Sequence, residues 1–454
     1  MTAPWRTGAG PDRAERRLLG RRQDAEMLRL AVPALGALVA EPLFLLADAA
    51  IVGRLGTAPL GSLGVASQAL TTLVNMSIFL AFGTTAAVAR QLGAGNQRAA
   101  IRYGIDGLWL AGAIGLAVLA VGWPLAGRIA AAFGATPAVT HGAVTYLRIS
   151  LLGAPSMLAV LAGTGVLRGL QNTMAPLLIT VTASVLNVVL NATLVLGLHW
   201  GIAGSAWGTV TAQTLSAAAY LAMVVRGARR AGVPVRLDPA GLRASARAGA
   251  SLFVRTIALQ AVLVAATAMA AHLGDVALAA HQLAYRLWNL LALALDAIAI
   301  AGQAITGRYL GAGDAAAART ATTRMIAWGA GYGVAFGALL LAIRPVLPAL
   351  FAASPPVRHL LLAVVLIVAA QQPVAGVVFV LDGVLIGAGD QNYLALAGLI
   401  TMAVFGVAAA VMLAAHTGLP GVWAAYSLWL LARFATLTLR SRGSRWLVTG
   451  ATRR

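Results

Sequence analysis

Twelve long apolar stretches constrain the fold of this chain more than any other feature of its sequence. Each is long enough to cross the roughly 30 Å hydrocarbon layer of a bilayer as a helix. Only 10% of the 454 residues are charged, against about a quarter in soluble domains, so lipid must cover the folded surface. The sequence therefore predicts an all-α integral membrane protein. Its twelve transmembrane helices begin near residues 28, 60, 105, 145, 176, 205, 248, 277, 323, 357, 394 and 422.

The chain repeats itself once, which predicts two related halves. Residues 90–96, RQLGAGN, recur as residues 308–314, RYLGAGD, at an offset of 308 − 90 = 218. The same offset relates VLRG at 166–169 to VLIG at 384–387. With six spans in each half, the two copies enter the membrane in the same orientation. We therefore expect two pseudo-symmetric six-helix bundles, related by an axis along the membrane normal, with a cavity between them.

The arginines define the expected topology and the boundaries of the segments. All 33 basic residues are arginines, and they concentrate in the loops after even-numbered spans, so both termini should be cytoplasmic. The formal charge of +20 then reflects topology, and no nucleic-acid partner is expected because no soluble basic face exists. The predicted segments are a cytoplasmic basic tail (1–27), an N-terminal bundle (28–226), a cytoplasmic linker (227–247), a C-terminal bundle (248–440) and a second basic tail (441–454).

The sequence also argues against several kinds of chemistry. There is no cysteine, which excludes disulfides, thiolate metal sites and cysteine nucleophiles. The glycine-rich loops at 93–95 and 311–313 lack the Lys-Ser/Thr pair of a phosphate-binding loop, and no hydrolase elbow or zinc-protease motif occurs. We therefore expect no enzyme, no cofactor and no metal site. Any work done across the membrane would draw on an ion gradient.

Polar residues within the spans of the first half mark a candidate ion site. A charge inside the bilayer costs at least about 2.5 kcal/mol, so it needs a partner, water or a proton. Asp48 and Glu41 are seven residues apart and face the same side of span one, and Pro42 between them favours a kink that frees backbone carbonyls. Asn187 and Asn191, four residues apart on span five, would complete the site. The alternative for these residues is hydrogen bonding between helices.

A further set of polar residues is expected to line the cavity between the bundles. Span eight carries a polar stripe at seven-residue intervals, which places its members on one face. We also predict an ion pair between Arg255 of span seven and Asp296 of span eight, because a buried pair offsets two desolvation costs. The predicted cavity residues are Gln68, Asn75, Gln260, Gln282, Asn289, Asp296, Gln303 and Asp382.

The order and spacing of these motifs resemble the MATE (multidrug and toxic compound extrusion) family. The resemblance covers residues 28–440, and the segment 295–303, LDAIAIAGQ, is similar to the DinF-like branch in particular. It implies a V-shaped pair of six-helix bundles that exports small amphipathic, often cationic compounds in exchange for H⁺ or Na⁺. The residues that carry it are Glu41-Pro42, Asp48, VGRLG at 52–56, the two LGAG loops, LRG at 167–169 and LDGVLIG at 381–387.

The resemblance also implies roles for particular residues. Asp48 matches the cation-coupling aspartate of the family, and Asn187 matches an asparagine of the same ion site. DinF-like members often carry a second aspartate where this chain has Asn191, so the two-acid proton site is incomplete. A site that depends on one carboxylate favours H⁺ as the coupling ion, with Na⁺ as the alternative.

The competing functional hypothesis is a flippase for lipid-linked intermediates, from the wider superfamily of these exporters. Such a protein usually has a strongly cationic central cavity. In this chain intramembrane Arg255 and Arg286 are offset by four acids, which favours cationic cargo. These acids are Glu41, Asp48, Asp296 and Asp382. The expected partners are small-molecule substrates and the lipid bilayer, and we expect a monomer in the plasma or inner membrane.

Overall fold

Fifteen α-helices occupy the part of the chain that the computed structural model describes, residues 13–351 and 354–452. The first lobe comprises α1 (Arg13–Gly53), α2 (Thr57–Ser77), α3 (Phe79–Gly93), α4 (Gln97–Ala131), α5 (Pro137–Leu152), α6 (Ala154–Gly169), α7 (Met174–Asn191) and α8 (Gly201–Ala231). The second lobe comprises α9 (Pro239–His272), α10 (Asp275–Gly311), α11 (Ala315–Ile343), α12 (Leu347–Leu350), α13 (Pro355–Gly387), α14 (Gln391–Ala414) and α15 (Gly418–Arg442).

These helices form twelve spans, six in each lobe, as predicted. Eleven stretches are long and apolar enough to cross a membrane by themselves, including the joined pair α2 and α3. The twelfth is the pair α5 and α6, which is bent by 54°. The bend has a local cause, because Pro155 in the first turn of α6 lacks the N–H that would continue the hydrogen bonding of α5. A π-helical segment, Ala192–Gly197, extends α7.

The repeated loop after α3 and α10 has the same conformation in both copies. Gly95 and Gly313 both adopt the left-handed backbone conformation, with φ of 75° and 83°, which side chains with a Cβ rarely tolerate. The next residue then caps the following helix. The side chain of Asn96 accepts a hydrogen bond from the Ala99 N–H at 3.0 Å, and that of Asp314 accepts one from Ala317 at 2.8 Å. The motif GAG[N/D] is therefore a helix stop followed by a helix start.

Close packing at glycines repeats with the same offset, which supports the predicted pseudo-symmetry. A Cβ on Gly165 of α6 would collide with the carbonyl oxygen of Ala81, and one on Gly383 of α13 would collide with that of Ala299. Both differences, 383 − 165 and 299 − 81, equal 218. Glycine thus allows α3 to approach α6 and α10 to approach α13 in equivalent ways. Gly169 and Gly387, and Gly93 and Gly311, form further equivalent pairs.

The two lobes meet at one end of the molecule. The contacts between them involve α1, α3 and α4 of the first lobe and α9, α10 and α13 of the second. They lie next to the even-numbered loops, for example at Gly93 against Arg308 and at Gly249 against Phe79. Because those loops carry most of the arginines, we call this side the basic end. Met27 and Leu30 of α1 belong to the apolar core of the second lobe, so α1 passes from one lobe to the other.

Segment boundaries differ in detail from those expected from the apolar pattern. Helix α1 already begins at Arg13, inside the predicted tail 1–27, and residues 1–12 lie outside the described part of the chain. In the predicted linker 227–247, only residues 232–238 lie outside helices. Charged residues extend both helices beyond the hydrocarbon layer, where apolar windows cannot detect them. The assignment of tails and linker to the cytoplasm stays a prediction.

Candidate functional site

A buried polar cluster surrounds Asp48 inside the first lobe. Asp48 is 2% exposed and lies five residues before the end of α1 at Gly53. Its Oδ1 accepts a hydrogen bond from the Asn191 amide at 2.6 Å and another from the Ser205 hydroxyl at 2.7 Å. Three helices, α1, α7 and α8, thus converge on one carboxylate oxygen, and both donors are uncharged.

The rest of the cluster continues along α7 and α8. The Asn187 amide donates to the hydroxyl of Thr209 at 3.2 Å. Tyr146 of α5 is 3% exposed, and its hydroxyl lies near those of Ser205 and Thr209, within electrostatic range of Asp48. Among the described residues, the side-chain oxygens of Asn187 and Asn191 are buried and have no hydrogen-bond partner. The site therefore has spare acceptor oxygens beside its one carboxylate.

Local sequence explains how these side chains come together. Asn187 and Asn191 are one helical turn apart at the end of α7, so both face α8. Gly208 makes room for them, because a Cβ there would collide with the Asn191 amide oxygen. The π-helical segment begins directly after Asn191, and such segments frequently occur at functional sites. The predicted grouping of Asp48 with Asn191 is present, with Asn187 one turn further along.

Glu41 does not join this cluster. It is exposed on α1, seven residues before Asp48, and it forms no hydrogen bond or ion pair with the described residues. On span two, Gln68 is exposed and Asn75 is half-buried. The ion-site role predicted for Glu41 has no contact to support it, and we propose instead that Glu41 lines the cavity with Gln68 and Asn75, whose predicted cavity-lining role stays a proposal. Exposed polar groups at membrane depth are costly unless they face water or protein.

The second lobe contains a buried ionic cluster, and it corrects one prediction. Arg255 does not pair with Asp296. Its guanidinium makes a bidentate pair with Asp382 of α13, with the Nε to Oδ1 distance at 3.2 Å. Arg433 of α15 donates to the other carboxylate oxygen, Oδ2, at 2.8 Å. Counting residues from the basic ends of spans seven and eight placed Arg255 and Asp296 at similar depth, but it could not show that Arg255 points towards α13 instead of α10.

The remaining predicted cavity residues fall into different environments. Asp296 is half-buried and, among the described residues, has no hydrogen bond or ion pair, although Arg255, Arg168 and Arg433 lie within electrostatic range. Gln303 is 2% exposed and donates to the backbone carbonyl of Phe82, so it connects the lobes and does not line a cavity. Asn289 is exposed, and Gln260 and Gln282 are half-buried.

Four functional-site residues were not found in the sequence. Ser205 and Thr209 are four residues apart on α8, a spacing that could have identified a polar helix face. Arg433 is a charge within a span, which by itself marks an intramembrane site. Tyr146 gave no signal, since a tyrosine in an apolar helix is common. Within the described chain no group of three or more His, Asp or Glu side chains could hold a metal ion.

One electrostatic difference separates Asp48 from the other buried acids. The described residues include four buried carboxylates: Asp48, Asp106, Asp382 and Asp390. Asp106 pairs with Arg102 at 2.8 Å, Asp390 with Arg440 at 2.6 Å, and Asp382 with two arginines. Asp48 has only an amide and a hydroxyl. An uncompensated acid inside a duplicated twelve-span helical protein is typical of secondary transporters built from parallel repeats.

Comparisons with known proteins identify the family. The family model described as MatE matches residues 33–193 and 252–412, one copy in each half. Protein DETOXIFICATION 44, chloroplastic, of Arabidopsis thaliana is 29% identical over 428 residues, which cover 90% of this chain and 80% of that protein. DNA damage-inducible protein F of Escherichia coli is 31% identical over 296 residues, 64% of each protein.

The fold comparison agrees. The solved structure of the Vibrio cholerae MATE transporter VcmN in the bent form matches with a TM-score of 0.85 at 19% sequence identity, over 95% of this chain and 98% of that chain. The two-lobed helical fold expected from the repeat is thereby confirmed. The chain belongs to the MATE family of membrane transporters and is not an enzyme.

Proposed function

We propose that this chain is a proton-coupled antiporter that exports small amphipathic, often cationic compounds, and that Asp48 is its coupling carboxylate. One observation carries the proposal: Asp48 is the buried acid that has only neutral partners among the described residues. A desolvated, unpaired carboxylate is costly inside the bilayer. A proton or a cationic substrate relieves that cost, so the site binds one or the other.

This competition supplies a mechanism for exchange. Asn191 and Ser205 orient Oδ1, while Oδ2 of Asp48 receives no hydrogen bond from the described residues and is the atom to which we assign the proton. Protonation removes the charge that attracts a cationic substrate and releases it. When the lobes open at the other side, loss of the proton restores the charge. Polar side chains along the cleft, including Glu41, Gln68, Gln282 and Asn289, contact the substrate.

Sodium is the alternative coupling ion, and one observation favours it. The unpartnered amide oxygens of Asn187 and Asn191 lie beside the Asp48 carboxylate, and hard cations prefer oxygen ligands of this kind. A proton needs only the carboxylate, whereas a sodium ion would use all three residues. Gradients of the two ions applied separately distinguish these mechanisms.

The proposed cellular setting follows from the arginine distribution. We place the protein in the plasma or inner membrane with the basic end and both termini in the cytoplasm. Asp48 then lies near the outer side, since α1 runs away from the basic end. The transporter works as a monomer and needs no bound cofactor.

The decisive experiment measures export of a fluorescent cationic dye by inside-out vesicles under imposed gradients. Vesicles with the parent chain should accumulate dye when a pH gradient alone is applied. Asp48→Asn keeps the size and the hydrogen-bonding ability of the side chain but cannot lose a proton, so gradient-driven transport should fall by roughly 100-fold or more. The matched control is Asp275→Asn, which changes an exposed acid in the first turn of α10 and should transport normally.

Three outcomes would change the proposal. Normal dye transport by Asp48→Asn removes this carboxylate from the coupling mechanism. Transport driven by a sodium gradient but not by a pH gradient replaces H⁺ with Na⁺. Absence of dye movement by the parent chain, together with movement of a lipid-linked substrate, supports the flippase instead.

A further inference from the structure

Two equivalent arginines stand at the point where the lobes meet. Arg90 near the end of α3 and Arg308 near the end of α10 are related by the repeat offset of 218. The helices cross so closely here that a Cβ on Gly93 would collide with the Arg308 carbonyl oxygen, and one on Gly311 with the Arg90 carbonyl oxygen. The crossing is therefore reciprocal, and each arginine lies beside the other lobe.

The side chain of Arg308 contacts the N-terminal half of α1. It forms an ion pair with Glu26, whose other carboxylate oxygen accepts a hydrogen bond from the Tyr309 hydroxyl at 3.2 Å. Two residues earlier, Asp24 accepts hydrogen bonds from Arg324 at 2.5 Å and from Trp328 at 3.0 Å. We call residues 23–27 the N-terminal arm. It belongs to the first lobe by sequence and is attached to α10 and α11 of the second lobe.

The side chain of Arg90 contacts the segment that follows α15. Its guanidinium donates to the carbonyl oxygen of Ala388 at 3.1 Å and also to that of Val448. Next to it, the Gln91 amide donates to the Ala451 carbonyl oxygen at 3.2 Å. We call residues 444–452 the C-terminal arm. It follows α15 of the second lobe and is attached to α3 of the first lobe.

The C-terminal arm packs into the second lobe. Trp446 is 1% exposed, belongs to the core of the second lobe and donates from its indole to the Ser441 carbonyl oxygen at 2.9 Å. The Gly450 N–H donates to the Leu310 carbonyl oxygen at 2.9 Å. The arm is thus anchored on its own lobe at Trp446 and Gly450, and it reaches across to Arg90 between these anchors.

The two arginines are equivalent under the repeat offset, but the two arms are not. The offset of 218 places Ala244 opposite Glu26 and Arg230 opposite Val448, and neither position reproduces the contact of its counterpart. Each half therefore keeps the same arginine and uses it to hold a different terminal segment of the opposite half. The two arms cross between the lobes at the basic end, so any separation of the lobes there must break their contacts.

We propose that the two crossed arms form a latch that holds the lobes together at the basic end, and that the strength of this latch sets the balance between the two open states. Both arms must detach before the lobes part at this end. The proposal depends on the proposed export cycle only in requiring such a separation. It concerns Arg90 and Arg308, which lie at the basic end. Asp48 lies near the opposite end of α1.

Distance measurements between spin labels can test the latch without measuring transport. The chain has no native cysteine, so Arg98→Cys and Ala316→Cys, which are exposed and equivalent under the offset, would provide one label on each lobe at the basic end. The full-length labelled chain would be reconstituted in lipid nanodiscs. The test variants are Arg90→Gln, Arg308→Gln and Glu26→Gln. The control is Arg440→Gln, which breaks the ion pair with Asp390 within the second lobe at the same end.

The parent should show mainly the short distance. Each test variant should raise the ratio of long to short distances roughly fivefold or more, a coupling typical of conformational equilibria, and Arg440→Gln should leave it unchanged. If Arg90→Gln does not fold, Glu26→Gln still tests the proposal, because the contacts of Glu26 are partly exposed. A parent distribution that persists in both Glu26→Gln and Arg308→Gln refutes the latch. This result is independent of whether Asp48→Asn transports dye.

Discussion

Asp48 and Asp382 occupy almost the same position within their helices, yet the side chains that contact them differ in charge. Each lies five residues before the end of its helix, at Gly53 for α1 and Gly387 for α13. Asp48 is surrounded by neutral donors, whereas Asp382 is held between Arg255 and Arg433. Neighbouring side chains, not helix position, separate the two roles.

The comparison shows that the role of an intramembrane acid depends on the side chains that contact it. Arg255 and Arg433 compensate the charge of Asp382 and connect α9, α13 and α15. Asp48 has no such compensation. The two sites also lie towards opposite membrane faces, because α1 runs away from the basic end and α13 runs towards it. Asp382, which the polar pattern of the sequence assigned to the cavity, is better explained as a structural element of the second lobe.

The largest expected difference between the two sites is in stability. Asp382→Asn leaves two buried guanidinium groups around one amide oxygen, and removing one partner of a buried ionic cluster costs about 3–5 kcal/mol. Asp48→Asn removes a charge that nothing compensates, so its cost should stay below about 1 kcal/mol. Thermal unfolding of the purified variants in detergent should show a large decrease in Tm for Asp382→Asn and little change for Asp48→Asn.

A reversed order would contradict the contrast between the two sites. If Asp48→Asn unfolds first, the Asp48 cluster is structural and the proposed coupling site is wrong. If Asp382→Asn retains its stability but loses coupled transport, the second lobe contains a coupling acid despite its arginines. Asp275→Asn, at an exposed position, is the control for the removal of a carboxylate.

Sequence reasoning recovered the fold more completely than the site. The twelve spans and the pseudo-symmetry depend on long apolar stretches and on a repeated loop, and both are visible in one dimension. The pairing of Asp48 with Asn191 was also within reach, because two polar residues in adjacent buried helices must find partners. The partner of Arg255 could not be predicted, because helical spacing gives the depth of a residue along its helix but not which neighbouring helix its side chain faces. Arg433 lies within the last span, nine residues before the end of α15, and its charge alone could have identified it.

A methyl group at Gly208 provides the second test, because it disturbs the Asp48 cluster without changing its charge. A Cβ at this position would collide with the amide oxygen of Asn191, and overpacking of this kind costs about 1–3 kcal/mol. We expect Gly208→Ala to displace Asn191 from Asp48 and to reduce pH-driven dye transport roughly tenfold or more. Gly112→Ala on α4 is the matched control, since the space beside that glycine is open. Equal transport by the two variants would separate Asn191 from the coupling site.

The smallest expected effect compares one serine hydroxyl in each lobe. Ser205 donates to Asp48 at 2.7 Å, and Ser427 accepts from the Gln371 amide at 2.7 Å. Replacing either by alanine removes one hydrogen bond worth about 0.5–1.5 kcal/mol, so the two variants should show similar small decreases in Tm. Only Ser205→Ala should alter the pH at which gradient-driven transport is half-maximal, because only that hydroxyl stabilises the ionised form of the proposed coupling acid. If both variants shift this midpoint equally, the hydroxyls act through general packing, and the distinction between an uncompensated acid in the first lobe and a compensated one in the second loses its functional meaning.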